Sequence, residues 1–131
     1  MTFEYHRRLH FYETDAMGII HHVIYFYLLE EARVELLRNQ GILKKIPLSE
    51  INYPVLSAHI DYKKPLYFDD ELTILVKLSI EKVRIYFDYE LKTKRFSEPV
   101  AFGKTMHVAM DMKTNAPTRV PASILALLKM A

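Results

Sequence analysis

Hydrophobic and polar residues alternate from Phe3 to Phe11. Phe3, Tyr5, Leu9 and Phe11 share one face and Glu4, His6, Arg8 and His10 the other, which predicts a half-buried strand. The stretch from Tyr12 to Gly18 is rich in turn formers, and its Asp15 and Gly18 can end a strand, so a loop is expected there. Beyond His21 and His22 the period lengthens. Tyr25, Leu28, Leu29, Ala32 and Leu36 fall on one stripe at helical spacing, with Glu31 and Glu35 on its flank. Gly41 is suited to a left-handed stop, so the pattern predicts a helix over about 22–40. Phe26, Val34 and Leu37 widen its apolar surface beyond one stripe, as a helix wrapped by a sheet would need.

Residues 42–54 read as an irregular connection able to carry a short helical turn, and a strand is expected over Val55 to Tyr62. Three long alternating runs follow. Leu72, Ile74, Val76, Leu78 and Ile80 form the first apolar set, and Val83, Ile85, Phe87, Tyr89 and Leu91 the second. In the third, Val100, Phe102, Met106, Val108, Met110 and Met112 alternate with smaller or polar residues that include Gly103, Thr105 and His107. Residues 94–99 supply a turn, and Pro121 suits the first position of a short terminal helix through Leu128. The late links are too short for parallel crossovers, so the strands should form an antiparallel meander carrying the single long helix, an α+β arrangement.

The 131 residues suit one domain spanning 1–131, with half of them apolar and about a quarter charged, as in a folded protein. A formal net charge of +2 lacks the basic concentration of a nucleic-acid binder. There is no cysteine, which removes disulfides, thiolate nucleophiles and Cys-ligated zinc. Neither a signal-peptide core nor an apolar run approaching a membrane span of roughly 20 residues is visible, so a cytoplasmic location is expected.

The segment 12–25, Tyr12 to Tyr25 with Asp15, Gly18, His21 and His22 inside it, and Glu30-Glu31-Ala32-Arg33 after it, resembles the YbgC and 4-hydroxybenzoyl-CoA thioesterase family of hotdog proteins. The resemblance continues through Ile60-Asp61-Tyr62 with Pro65, Asp69 to Leu72, and Ala101 to Val108, covering nearly the whole chain. It implies a five-stranded antiparallel sheet wrapped around one long central helix, pairing into homodimers and tetramers with active sites at the subunit interface. It also implies hydrolysis of acyl-CoA thioesters of short or moderate acyl size, with Asp15 as the catalytic carboxylate and the His22 amide as oxyanion donor. Glu13 then holds the first acidic position. Two departures stand out: Ile24 replaces the usual Asn or Ser, and His21 replaces the usual aromatic residue.

The chemistry suits these groups. Thioester hydrolysis needs a carboxylate to attack the carbonyl carbon or to activate water, and donors aimed at the oxygen that gains charge. It requires no metal or organic cofactor. Taken alone, Asp15 is an ordinary loop residue with turn or cap chemistry, Gly18 serves backbone conformation, and Tyr25 is a core or interface residue. Glu13 reads more simply as a partner of the loop backbone than as a second catalyst. Six histidines raise the question of a metal, but adjacent side chains diverge at His21-His22, and no helical His pair accompanies a carboxylate. Substrate contacts are expected from Glu13, Gly18, His21, Tyr25 and His59, with Lys63 and Lys64 facing CoA phosphates or simply solvated. Two alternatives stay open: an acyl-carrier-protein thioesterase or dehydratase-like enzyme, and a non-catalytic binder of acyl thioesters.

Overall fold

The structure, a computed structural model, describes residues 1–45 and 50–128. In chain order its elements are β1 (Thr2–Arg8), a 3-10 turn (Phe11–Glu13), α1 (Ile24–Asn39), β2 (Ile51–Asn52), β3 (Val55–Tyr62), β4 (Glu71–Glu81), β5 (Arg84–Thr93), β6 (Ala101–Val108), β7 (Met110–Asp111), β8 (Ala116–Pro117) and α2 (Ala122–Leu127). Five strands form an antiparallel sheet in the order β1-β4-β5-β6-β3, and β2, β7 and β8 form a small second sheet. The predicted α+β arrangement of one long helix on an antiparallel sheet is the one observed.

The helix ends where the sequence indicates. Gly41 has φ +72°, and the amide of Ile42 returns to the Leu37 carbonyl at 2.9 Å, so the left-handed residue turns the chain back over the last turn. The stripe Tyr25, Leu28, Leu29, Ala32 and Leu36 is buried. It packs with Leu72, Ile74, Val76 and Leu78 of β4 and with Ile85, Phe87, Tyr89 and Leu91 of β5 in a single core. This is the alternating set the sequence assigns to the inner face, each residue contributing roughly 1.5–3 kcal/mol by its burial.

β6 reverses the expected facing. Its buried positions include Ala101, Gly103, Thr105 and His107, whereas Phe102 is exposed and Met106 is half-buried. The reason is space: a Cβ added to Gly103 would stand 2.9 Å from Leu29 Cδ1, so the helix lies too close for large side chains. The run also does not continue to Met112 as one strand. It breaks at Ala109, and β7 leaves to pair with β2 and β8. Two further boundaries shift: β1 stops at Arg8, ahead of the predicted Phe11, and Pro121 caps α2 instead of starting it. In the connection 42–54, residues 46–49 lie outside the described set, and Ile51–Asn52 forms β2.

At the sheet margin, β3 pairs with β6 on one side only, and all its residues but Ile60 are exposed. Replacing Gly103 by Val should drive side-chain atoms into buried Leu29 and destabilise the fold by about 1–3 kcal/mol, measured by urea unfolding.

Candidate active site

β1 places Phe3, Tyr5 and Arg7 inward, so an arginine occupies the inner face of an otherwise apolar alternation. Its guanidinium donates from Nη1 to Glu13 Oε1 at 2.7 Å and from Nη2 to Glu13 Oε2 at 2.6 Å. It also donates from Nε to Glu31 Oε1 at 2.8 Å, and the Tyr5 hydroxyl donates to the same oxygen at 2.8 Å. Arg7 thereby joins β1, the end of the 3-10 turn and the middle of α1. Glu13 is only 4% exposed. Burial alone would raise its carboxyl, but the bonds from Arg7 and from the His10 amide outweigh that and hold it below the ordinary carboxylate range.

From Glu13 the chain enters a tight loop whose two ends meet. Thr14 and Ile20 form an antiparallel bridge, the His21 amide donates to the Glu13 carbonyl at 2.9 Å, and the Ile20 amide donates to the Leu66 carbonyl at 2.8 Å. Asp15 sits inside this frame. Its Oδ1 accepts from the Met17 amide at 2.8 Å and from the Ile19 amide at 3.4 Å. Among the described residues Oδ2 has no hydrogen-bond partner. Gly18 closes the turn with φ +82°, and no atom lies within 4 Å of where a Cβ would stand, so its role is backbone conformation.

The start of α1 lies directly beyond. The Val23 amide donates to His21 Nδ1 at 3.1 Å, which ties the imidazole to the backbone just ahead of the helix, where Val23 is the N-cap and supplies no side-chain cap. The His22 amide donates to no described residue. Its carbonyl accepts from the Tyr62 hydroxyl at 2.8 Å, and its exposed ring stacks on that of His21 with centroids 4.5 Å apart. Asp15 thus lies within the closed loop and the His22 amide just past its second end.

The other expected residues divide. Tyr25 is buried, edge-on to Tyr62 at 4.8 Å, and burial pushes its phenol up to about 12, so it stays protonated as a core residue. His59 is exposed on β3, 3.1 Å from Asp61. Lys63 and Lys64 follow β3, their amides both donating to the Val100 carbonyl, and the Lys64 ammonium stands 5.1 Å from the Phe96 ring centroid. Within one chain, no described side-chain hydrogen bond links these three to Asp15. The sequence reading missed Arg7 and Tyr62. Arg7 was detectable as a charge at an inward parity, between Tyr5 and Leu9. Among the described residues no three His, Asp or Glu side chains converge as a metal site would require.

A separate cavity of about 460 Å³ opens between the C-terminal half of α1, the sheet and α2, with Arg33, Val34, Tyr53, Val55, Phe87 and His107 in its lining. Neither Asp15 nor His22 lines it.

The family model of the Thioesterase-like superfamily matches residues 9–128. The chain belongs to that family. A curated relative from Aquifex aeolicus, provisionally named an esterase, is 36% identical over 98% of this chain and 99% of its own. The 1,4-dihydroxy-2-naphthoyl-CoA hydrolase of Crocosphaera subtropica is 29% identical over 95% of this chain and 94% of its own. The crystal structure of a 1,4-dihydroxy-2-naphthoyl-CoA thioesterase from Synechocystis superposes with a TM-score of 0.90 at 20% identity, covering 98% and 96% of the two chains. The fold of this superfamily member is thus the hotdog, and the chain is a thioester hydrolase. No described helix of this thioesterase is long and apolar enough to cross a membrane.

The Arg7 clamp makes two testable demands on the thioesterase. Arg7→Met strands two carboxylates, one of them buried, and should cost about 3–5 kcal/mol in urea unfolding. Because Glu13 is depressed in the folded state, its contribution is complete above the ordinary carboxylate pKa and is lost as pH falls through the lowered value. Glu13→Gln should accordingly be less stable at neutral pH and show a shallower loss on acidification, measured by unfolding midpoints across a pH series.

Proposed function

We propose that this chain hydrolyses acyl-CoA thioesters of short or moderate acyl size to free acid and CoA, as in the YbgC and 4-hydroxybenzoyl-CoA thioesterase group. One observation carries the reading: the Asp15 carboxylate has one oxygen anchored by loop amides and the other unpartnered, on a closed loop that leads directly into a helix start whose His22 amide lacks an acceptor among the described residues. Anchoring fixes the carboxylate without consuming its reactive oxygen. The free amide, at the positive end of α1, meets the charge that develops on the thioester oxygen.

In the water route, Asp15 takes a proton from water as the oxygen attacks the carbonyl carbon. The His22 amide holds the oxyanion, the C–S bond breaks, and the proton passes to the departing CoA thiolate. In the direct route, Asp15 attacks the carbon and releases the thiolate, and water then cleaves the mixed anhydride. Both use the same atoms. The names of the naphthoyl-CoA relatives favour a compact aromatic acyl group, and Ile24, where Asn or Ser is usual, offers an apolar contact to it. His59, Lys63 and Lys64 serve CoA, the two ammonium groups facing its phosphates.

Self-association is part of this reading. β3 leaves a row of backbone groups unpaired at the sheet edge, and exposed Val55, Leu56 and Tyr62 lie along it. Two-fold pairing of β3 with β3 satisfies both. Light scattering at micromolar concentration should give a dimer or tetramer, and a stable monomer would contradict the pairing.

Asp15→Asn tests the chemistry. Asn retains an oxygen for the Met17 and Ile19 amides but supplies neither base nor nucleophile, so turnover of the preferred acyl-CoA should fall about 10²–10⁴-fold. The melting temperature should be unchanged. Near-wild-type kcat would remove Asp15 from the mechanism.

A further inference from the structure

A helix start ordinarily leaves its first N–H groups without partners inside the helix. Here nearly all of them are spoken for. The His21 amide donates to the Glu13 carbonyl at 2.9 Å, and the amides of Ile24, Tyr25 and Phe26 donate to the carbonyls of His21, His22 and Val23 at 3.0, 3.4 and 3.1 Å. The peptide that joins His22 to Val23 is held by a side chain at each end. Its carbonyl accepts from the Tyr62 hydroxyl at 2.8 Å, and its N–H donates to His21 Nδ1 at 3.1 Å. Of the amides from 21 to 26, that of His22 alone has no acceptor among the described residues.

One of the two grips on this peptide can titrate. To accept from a backbone N–H, His21 Nδ1 must be unprotonated, so the ring is neutral and carries its hydrogen on Nε2. A proton added to the ring goes to Nδ1. Two donors, Nδ1–H and the Val23 N–H, then face each other, and the bond is lost. Histidine is the side chain whose charge ordinarily changes between about pH 5 and 8.

The other ionisable groups around the peptide do not act in its place. Burial raises the phenols of Tyr62 and of Tyr25, which meets it edge-on at 4.8 Å, so both keep their protons. Glu13, despite its burial, is held low by the Arg7 guanidinium and stays ionised. The His22 ring, stacked on that of His21, makes no hydrogen bond to a described residue, so its own proton breaks none of these bonds.

We propose that His21 is a positioning residue for thioester hydrolysis that switches with pH: neutral, it holds the peptide next to the His22 amide and keeps that amide aimed, and protonated it lets the peptide go. The inference rests on the reading of the His22 amide as oxyanion donor, and goes beyond it by naming the side chain that controls the donor.

Two substitutions separate the acceptor from the ring. His21→Asn keeps an acceptor, because an Asn oxygen bonds the amide two residues on, and it does not titrate. His21→Phe keeps a ring to stack on His22 and removes the acceptor. With the acyl-CoA turned over fastest, wild-type kcat should fall about tenfold from about pH 8 to about pH 5.5 with the steepness of one proton, part of the roughly 10²–10³-fold that a whole oxyanion donor is worth. Carboxylates titrate lower. His21→Phe should be about tenfold slower than wild type at the upper pH and level across the range. His21→Asn should recover most of that loss and be equally level. The Val23 amide shift, followed by NMR, should move in wild type with the same midpoint as kcat and stay still in His21→Asn.

A wild-type kcat that is level across this range, a step that persists in His21→Asn, or His21→Phe with undiminished kcat would each overturn the proposal. Asp15→Asn that keeps its turnover would strike the catalytic reading instead, and the Val23 shift and the His21 variants would still decide the role of His21.

Discussion

The guanidinium of Arg7 is the group on which the site depends. It binds Glu13 through two parallel hydrogen bonds and Glu31 through two more, and so fixes the exit of β1, the entry to the Asp15 loop and the flank of α1 relative to one another. A buried ion pair of this kind adds little net stability over well-packed apolar residues. What it supplies is direction: the planar fork admits few arrangements of two carboxylates, where an apolar cluster would admit many. With Glu13 held, its carbonyl takes the His21 amide, and the loop that carries Asp15 closes ahead of the helix start.

The sheet does the complementary work at the other end of α1. Ala101 and Gly103 let the helix approach β6 closely enough for Leu29 to fill the space of a missing side chain. Farther along the strand, His107 stands in place of these small residues, and the cavity opens between it, α1 and α2. One strand therefore changes along its length from a packing surface to the wall of a pocket. Its neighbour β3 stays exposed at the sheet edge and connects the two ends.

Much of this is legible in the residue pattern, because α1, β4 and β5 bury one face each and burial writes its period into the sequence. The helix runs 24–39 against the predicted 22–40, and β3 runs 55–62 as expected. A loop carrying Asp15 also lies between β1 and α1, where the turn formers predict one. β6 defeats the pattern because Phe102 faces outward and Ala101 and Gly103 inward, a reversal set at Gly103 by the distance to Leu29, which no local pattern records. Arg7 escapes notice for a similar reason. Its partners Glu13 and Glu31 lie on other elements, and only the fold turns an inward charge into a satisfied one. The cavity unites α1, β2–β3, β4–β6 and α2, so it has no linear signature at all.

The central claim is that the thioester oxygen lands on the His22 amide while Asp15 faces the carbonyl carbon. Amide-resolved NMR with a non-hydrolysable CoA ketone, in which a methylene replaces the thioester sulfur, observes that contact directly. The account predicts that the His22 amide exchanges freely in the unliganded protein, and becomes protected and strongly shifted when the ketone binds. Saturating ketone that leaves the His22 amide unshifted and exchanging freely would contradict it.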